Sequence, residues 1–247
     1  SGTVSLNVPK GWKTSAPQKI TIAQKGETKS IAFTVTPPKN ASEGQLEPQF
    51  IINGKTHTDK VVRIDYDHIP LQTLTQPSTN KLVRLNIAKK GDYIGYIAGA
   101  GDVIPESLRQ IGYQVAEVSP EEITAKNLEN FDAVVMGVRA YNVVDQLKYK
   151  QPILLDYVKK GGTMVVQYNT ARGFSFPNLG PYPLHLSSDR VTDEFAEVTV
   201  LDPKSEVLNY PNKITNSDFE GWVQERGLYF PDKYDNAYKP VISIHDK

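Results

Sequence analysis

Near residue 91 the period of the apolar residues changes, and one regular architecture cannot satisfy both parts of the 247-residue chain. Upstream, Val4, Leu6 and Val8 alternate with polar residues until Pro9-Lys10-Gly11-Trp12 interrupts them. Ile20 and Ile22 alternate next, Lys25-Gly26-Glu27 makes a turn, and Ile31, Phe33 and Val35 run up to Pro37-Pro38. Phe50-Ile51-Ile52 leads into the hairpin pair Asn53-Gly54, and Val61, Val62, Ile64 and Tyr66 close the series. Successive side chains on a strand point to opposite faces, so this alternation buries one face, and turn signals about every 8–12 residues bound short antiparallel strands. The expectation is an Ig-like β-sandwich over residues 1–66. Residues 67–91 carry Pro70, Pro77, Ser78 and Asn80 ahead of a strand-like stretch at 82–87. They read as a connector with one strand, and the pattern leaves open which sheet that strand joins.

Downstream, Tyr93-Ile94-Gly95-Tyr96-Ile97-Ala98 is a short apolar strand ending in Gly99-Ala100-Gly101-Asp102. Pro105-Glu106-Ser107-Leu108 opens a helix, since a proline in the first turn removes an N–H that has no helical partner. Strands follow at 115–118 and 131–138, and the second is apolar without a break, as a strand buried on both faces must be. Ile153, Leu154, Tyr157 and Val158 keep helical spacing up to Lys159-Lys160-Gly161-Gly162, a basic last turn with a glycine stop, and 163–168 is a fourth strand. Strands alternating with helices imply parallel crossovers. Residues 92–247 therefore read as a doubly wound, mostly parallel α/β domain of the flavodoxin-like or amidotransferase-like kind. The chain is expected to be multi-domain, all-β plus α/β. Its abrupt ends, at Ser1-Gly2 and just past the strand-like Pro240–Ile244, suggest a piece of a longer polypeptide with the α/β domain incomplete at its C-terminus.

Charge divides at the same boundary. Residues 1–91 carry 13 Lys+Arg against 6 Asp+Glu, and residues 92–247 carry 15 against 22, so +7 and −7 cancel to the zero of the whole chain. Twelve of the 13 tyrosines also follow residue 91. Two such domains attract one another modestly and in a salt-sensitive way while their charges stay solvated. The scattered lysines of the basic part lack aromatic interleaving, which argues against a nucleic-acid partner. No apolar run approaches the roughly 18 residues of a membrane span. Without cysteine there is no thiolate nucleophile, disulfide or Cys-ligated metal.

Ligands of doubly wound sheets bind beyond the carboxyl ends of the strands, which selects the loops at 99–106, 119–122, 138–146 and 167–174. Gly99-Ala100-Gly101 begins like a dinucleotide fingerprint, yet the third glycine is missing and Asp102 would repel a phosphate; a tight turn is the better reading. No P-loop run and no Gly-x-Ser-x-Gly elbow occur, and His57, His68, His185 and His245 are too scattered to predict a zinc centre. Arg139, Tyr141 and Asn142 after the third strand, and Gln167, Tyr168, Asn169 and Arg172 after the fourth, offer guanidinium groups, amides and aromatic faces. That chemistry suits a hydroxyl-rich or carboxylate ligand stacked on a ring. The alternative is that these groups satisfy one another and the loop backbone. A third candidate runs from Asp218 through Glu220, Trp222, Glu225 and Arg226, either a pocket with a carboxylate base or a set of structural ion pairs.

Several strings carry a family resemblance. Val4-x-Leu6-x-Val8-Pro9-x-Gly11-Trp12, Phe33-x-Val35-x-Pro37-Pro38 and Ala41-x-x-Gly44 resemble the small sandwich found beside carbohydrate-binding modules in bacterial α-galactosidases. Phe131-Asp132-Ala133-Val134-Val135, Tyr157-Val158-x-x-Gly161-Gly162 and Asp218-x-Glu220 resemble a ThuA-like, class I glutamine-amidotransferase-like domain. The combination, with Ile97–Asp102, Gly137–Asn142 and Gly221–Phe230 as its most distinctive strings, is similar to the C-terminal region of large LmbE/PIG-L-type deacetylases of Bacteroidetes-like bacteria.

The resemblance implies a periplasmic or secreted protein whose parent removes an N-acetyl group from a glucosamine-type sugar with zinc. The family's His-Pro-x-Asp-Asp metal motif is not in this sequence, so no catalytic residue, metal or other cofactor is carried over; zinc belongs to a domain ahead of residue 1. An amidotransferase also needs a cysteine about where Gln167-Tyr168-Asn169 stand, which argues against glutaminase chemistry. The leading reading is a non-catalytic accessory region, glycan-binding or scaffolding, of a sugar N-deacetylase. Its partners would be its own upstream catalytic domain and an amino-sugar-containing glycan. The other readings are a ThuA-like sugar-active enzyme domain using the loops at 139–142, 167–172 and 218–226, and a purely structural interdomain module.

Overall fold

The computed structural model describes residues 1–173, 179–221 and 227–246, and the chain forms two compact units, Ser1–Asn86 and Ile87–Lys247.

The first unit is all β, with β1 (Gly2–Asn7), β2 (Lys13–Thr14), β3 (Gln18–Ile20), β4 (Val35–Thr36), β5 (Ser42–Ile52), β6 (Lys55–His57), β7 (Asp59–Ile64), β8 (Gln72–Pro77) and β9 (Asn80–Arg84). Every pairing in it is antiparallel. The 11-residue β5 is the hub, taking β1 and β6 on its second part and β9 on its first. The turn from β5 to β6 is Asn53-Gly54, with φ of 49° and 75°; both residues of a tight type I′ turn need positive φ, which is why this pair encodes a hairpin. Register places Val4 opposite Phe50 and Leu6 opposite Pro48, so these apolar side chains share one face. Trp12 donates its indole N–H to Ser42 Oγ at 3.1 Å.

The stretch read as a connector contributes two strands to this unit. β8 completes a hairpin with β7, and β9 pairs with β5, so the boundary between units falls after Asn86. Pro70 and Pro77 do not prevent these strands: Pro70 precedes β8, and Pro77 is its last residue, positions where a missing N–H costs no ladder bond. No described residue of this unit is fully buried.

The second unit contains β10 (Tyr93–Ile97), α1 (Ile104–Gln110), β11 (Gln114–Glu117), α2 (Ala125–Leu128), β12 (Ala133–Met136), α3 (Ala140–Val143), α4 (Leu147–Lys159) and β13 (Thr163–Val166). It continues with β14 (Leu184–Leu186), β15 (Val198–Val200), α5 (Glu206–Asn209), β16 (Pro231–Tyr234) and β17 (Ile242–Ile244). Strands β10–β13 form a parallel sheet in the order β11-β10-β12-β13. Successive residues of β12 feed opposite cores, as the unbroken apolar run requires. Val134 and Met136 pack with Leu128 of α2 and Leu147 and Leu154 of α4, whereas Val135 packs with Ile104 and Leu108 of α1. Two short antiparallel ribbons, β14–β16 and β15–β17, complete the unit.

Candidate functional site

The strand order reverses between β10 and β12, and the crevice beyond their carboxyl ends is the position a parallel sheet ordinarily gives its ligand. In this chain that crevice is closed by its own residues. A Cβ on Gly99 would lie 2.1 Å from the Val138 carbonyl oxygen, so only glycine permits this approach of the two backbones. Asp102 occupies the gap. Its carboxylate accepts from Tyr96 Oη at 2.6 Å, Ile104 N at 2.9 Å, Val138 N at 3.1 Å and, weakly, Gln167 Nε2 at 3.4 Å. Burial works to raise its pKa, but these hydrogen bonds outweigh it and hold the carboxyl below its usual range. Tyr96 is pushed up, first by burial and then by its bond to Asp102. The tight-turn reading of Gly99–Asp102 fits this geometry.

The loop after β12 is structural in its details. Arg139 adopts a left-handed φ of 56°, and its backbone N–H reaches Tyr168 O at 2.7 Å while the side chain is exposed. That turn swings Tyr141 inward, where it is 3% exposed within the core; burial raises its hydroxyl to about 12, against a hydrogen bond from Gln151. Tyr141 therefore offers no face to a ligand. Asn142 clamps the neighbouring loop, donating Nδ2 to Thr170 O at 3.3 Å and Arg172 O at 2.8 Å and accepting from Thr170 N at 2.9 Å. Arg172 is exposed and takes part through its backbone oxygen.

Gln167, Tyr168 and Asn169 are brought together with groups far along the chain. They line a cleft of about 430 Å³ beside β13, with Leu179, Pro181, Leu184 and Leu186 on one side and Tyr229 and Tyr238 completing the wall. The Tyr168 and Tyr229 rings lie 6.0 Å apart, inclined by 39°. Burial raises the Tyr168 pKa, Tyr229 adds to this, and Arg139 opposes it. Tyr238 is anchored by donating its hydroxyl to Tyr182 O at 2.9 Å. Asn169 is 5% exposed; its Nδ2 donates to Gln167 O at 2.8 Å, and its Oδ1 meets no partner among the described residues. No Asp, Glu, His, Lys or Arg lines the cleft among the described residues.

A larger groove, about 630 Å³, lies between the two ribbons and is walled by Val198, Leu201, Phe230, Ile242 and Ile244. Its Asp246 is committed to Thr192 N, Thr192 Oγ1 and Asp193 N, and no unpartnered buried polar atom lines it among the described residues. The smaller cleft is the better candidate because amides and rings converge there. Of the acidic stretch, Asp218 caps its own turn by accepting from Thr215 N at 2.7 Å, and Glu220 is exposed with its backbone N–H on Ser217 O. Trp222, Glu225 and Arg226 lie outside the described residues. Among the described residues no group of three or more His, Asp or Glu gathers to hold a metal ion, and no helix is long and apolar enough to cross a membrane.

Tyr229 and Tyr238 were not singled out as site residues from sequence. The usable signal was composition, since 12 of 13 tyrosines fall in the second segment.

Residues 1–50 match the family model of the NPCBM-associated, NEW3 domain of α-galactosidase, a span that covers the first five strands up to the middle of the hub strand's second part. No curated protein and no solved structure matches the chain.

Proposed function

We propose that the cleft beside β13 binds a neutral, hydroxyl-rich ligand, a sugar ring of a glycan, and that this chain acts as a non-catalytic accessory region. The observation that carries the reading is the described cleft lining of tyrosine rings, amides and apolar side chains without an ionic group. Sugar rings present C–H faces that pack on aromatic rings and hydroxyls that pair with amides, and a neutral lining imposes no charge-desolvation cost on them. A general acid–base pair is missing from the described lining, which favours binding over turnover. The volume suits one or two sugar rings. The match of residues 1–50 to a domain of α-galactosidase supports a carbohydrate setting.

In finer terms we read the first unit as an Ig-like sandwich and the second as a doubly wound, flavodoxin-like or amidotransferase-like domain; the order β11-β10-β12-β13, with helices on both faces, supports the latter. The parent would be a periplasmic or secreted sugar deacetylase of the LmbE/PIG-L type, with zinc held by a separate catalytic domain.

Calorimetric titration of the full chain with methyl glucoside, methyl galactoside, N-acetylglucosamine and chitotetraose, against oligogalacturonate as an acidic control, tests the reading. At least one neutral probe should bind and the acidic one should not. Tyr168→Ala should weaken that binding about tenfold, or about 1.4 kcal/mol, because truncation removes a stacking face, with the melting temperature nearly unchanged for this half-exposed side chain. Silence toward every neutral probe, or undiminished affinity in the variant, overturns it.

A further inference from the structure

Resting on the sugar reading of this cleft, we infer that the Asn169 side-chain oxygen sets its specificity, admitting ligands that present an O–H or N–H donor and refusing analogues whose donors are methylated. Three observations carry this. Asn169 lines the cleft and is 95% buried, so its carboxamide cannot exchange partners freely with bulk water. Its orientation is fixed: Nδ2 donates to Gln167 O at 2.8 Å, and turning the amide over would set Oδ1 against that carbonyl oxygen. The oxygen is thereby held away from Gln167, and it meets no donor among the described residues.

A buried acceptor without a partner is a standing cost to the fold; the oxygen is closed to solvent in the empty cleft, so a ligand donor that parts the cleft wall to reach it recovers that cost as affinity. The same donor carried as a methyl ether leaves the acceptor unpaired and adds bulk against Leu179, Leu184 and Leu186, so discrimination works from both sides. Tyrosine stacking does not distinguish the two ligands, because both keep the same ring faces. Gln167 differs in that its backbone carbonyl is occupied by Asn169 and its Nε2 is a donor directed at Asp102.

The test is a titration of methyl galactoside and methyl glucoside, each beside its per-O-methylated counterpart, into wild type and Asn169→Leu, with melting temperatures recorded for both proteins. Wild type should prefer the free sugar by about tenfold or more, and in the variant the preference should collapse to about twofold. Asn169→Leu relieves the unpaired oxygen but also removes the Nδ2 bond to Gln167 O, so the melting temperature should shift by no more than about 5 °C. Should the variant fold poorly, the wild-type Asn169 side-chain amide resonances supply the second measurement: they should shift with the free sugar and stay in place with the methylated one. A preference that survives Asn169→Leu, or resonances that ignore the free sugar while it binds, overturns the inference. Equal binding of free and methylated sugars by wild type also overturns it while the sugar reading stands. Binding of neither sugar overturns both.

Discussion

Replacing Asp102 by Asn asks whether one carboxylate holds the strand-reversal crevice shut. Three strong donors converge on it, Tyr96 Oη, Ile104 N and Val138 N, with Ile104 on one oxygen and the other two on the second. An isosteric carboxamide accepts through one oxygen only and turns an NH₂ toward whichever donors remain. Its less costly orientation keeps Tyr96 and Val138 and leaves Ile104 N–H facing another donor. Losing charge assistance on two bonds and the third bond outright amounts to about 2–3 kcal/mol, discounting for partial solvent access. In a unit of this size that lowers the melting temperature by about 5–10 °C. Near-UV tyrosine ellipticity is the appropriate signal, because 12 of the 13 tyrosines lie past residue 91. The pH dependence follows from the sign of the shift. The folded carboxyl titrates below its unfolded value of about 3.9, so its contribution is full above that value and is lost as pH falls through the folded pKa. Wild type and variant should therefore converge below about pH 4. A difference under about 1 °C at neutral pH, or a gap that persists undiminished in acid, refutes the reasoning.

Gly99→Ala should destabilise the second unit by about 3 kcal/mol or more, since its Cβ would meet Val138 O at 2.1 Å and backbone cannot yield as a flexible side chain does; urea titration with the same tyrosine signal checks it, and an unchanged midpoint shows that the loop relaxes. In alkali, Tyr96, Tyr141 and Tyr157 have folded pKa values raised by burial, so the stability they confer is intact below the unfolded value of about 10 and drains away as pH rises past it. Tyrosinate absorbance should show a late class, with Tyr141 near 12, appearing together with loss of near-UV structure; complete ionisation near 10 with the fold intact would contradict the burial assigned to these rings.

What could be read ahead of the structure follows how local each determinant is. Asn53-Gly54 was legible because the turn demands positive φ at both residues, and Ala133–Met136 because burial on both faces leaves no room for a polar residue. β8 and β9 were hidden behind prolines that lie where no ladder donor is needed. Tyr141 and Asn142 were read as ligand groups from their place after a parallel strand. A single left-handed residue, Arg139, turns one into the core, and the 170–172 backbone occupies the other. Gln167, Tyr168 and Asn169 follow from the same rule and do line the cleft, but Tyr229 and Tyr238 come from 60 and more residues onward. Their positions depend on β14 pairing with β16, a long-range contact that leaves no periodic trace in a three- or four-residue strand.

The closure at Asp102 and the cleft beside β13 are two sides of one arrangement. A parallel sheet normally keeps its reversal point open for an anionic ligand, using glycine turns and helix N-termini to receive negative charge. This chain keeps the glycines but places a carboxylate of its own against the backbone N–H groups of Ile104 and Val138, so the position that would receive an anion already holds one. The binding proposed for this chain then lies elsewhere. The β14–β16 ribbon supplies Leu184, Leu186 and Pro231 as a wall beside β13, an end strand of the sheet, and Asn169 and the tyrosines furnish contacts that need no charge. Residues 92–247, with 22 acidic against 15 basic side chains, carry a net negative charge whose field acts at long range, although Arg139 acts on Tyr168 from nearby. Such a field disfavours the approach of uronates and sulfated sugars and leaves neutral ones indifferent. Under the proposed sugar reading, selection against anions would operate twice, by repulsion at a distance and through a lining that holds no cation among the described residues.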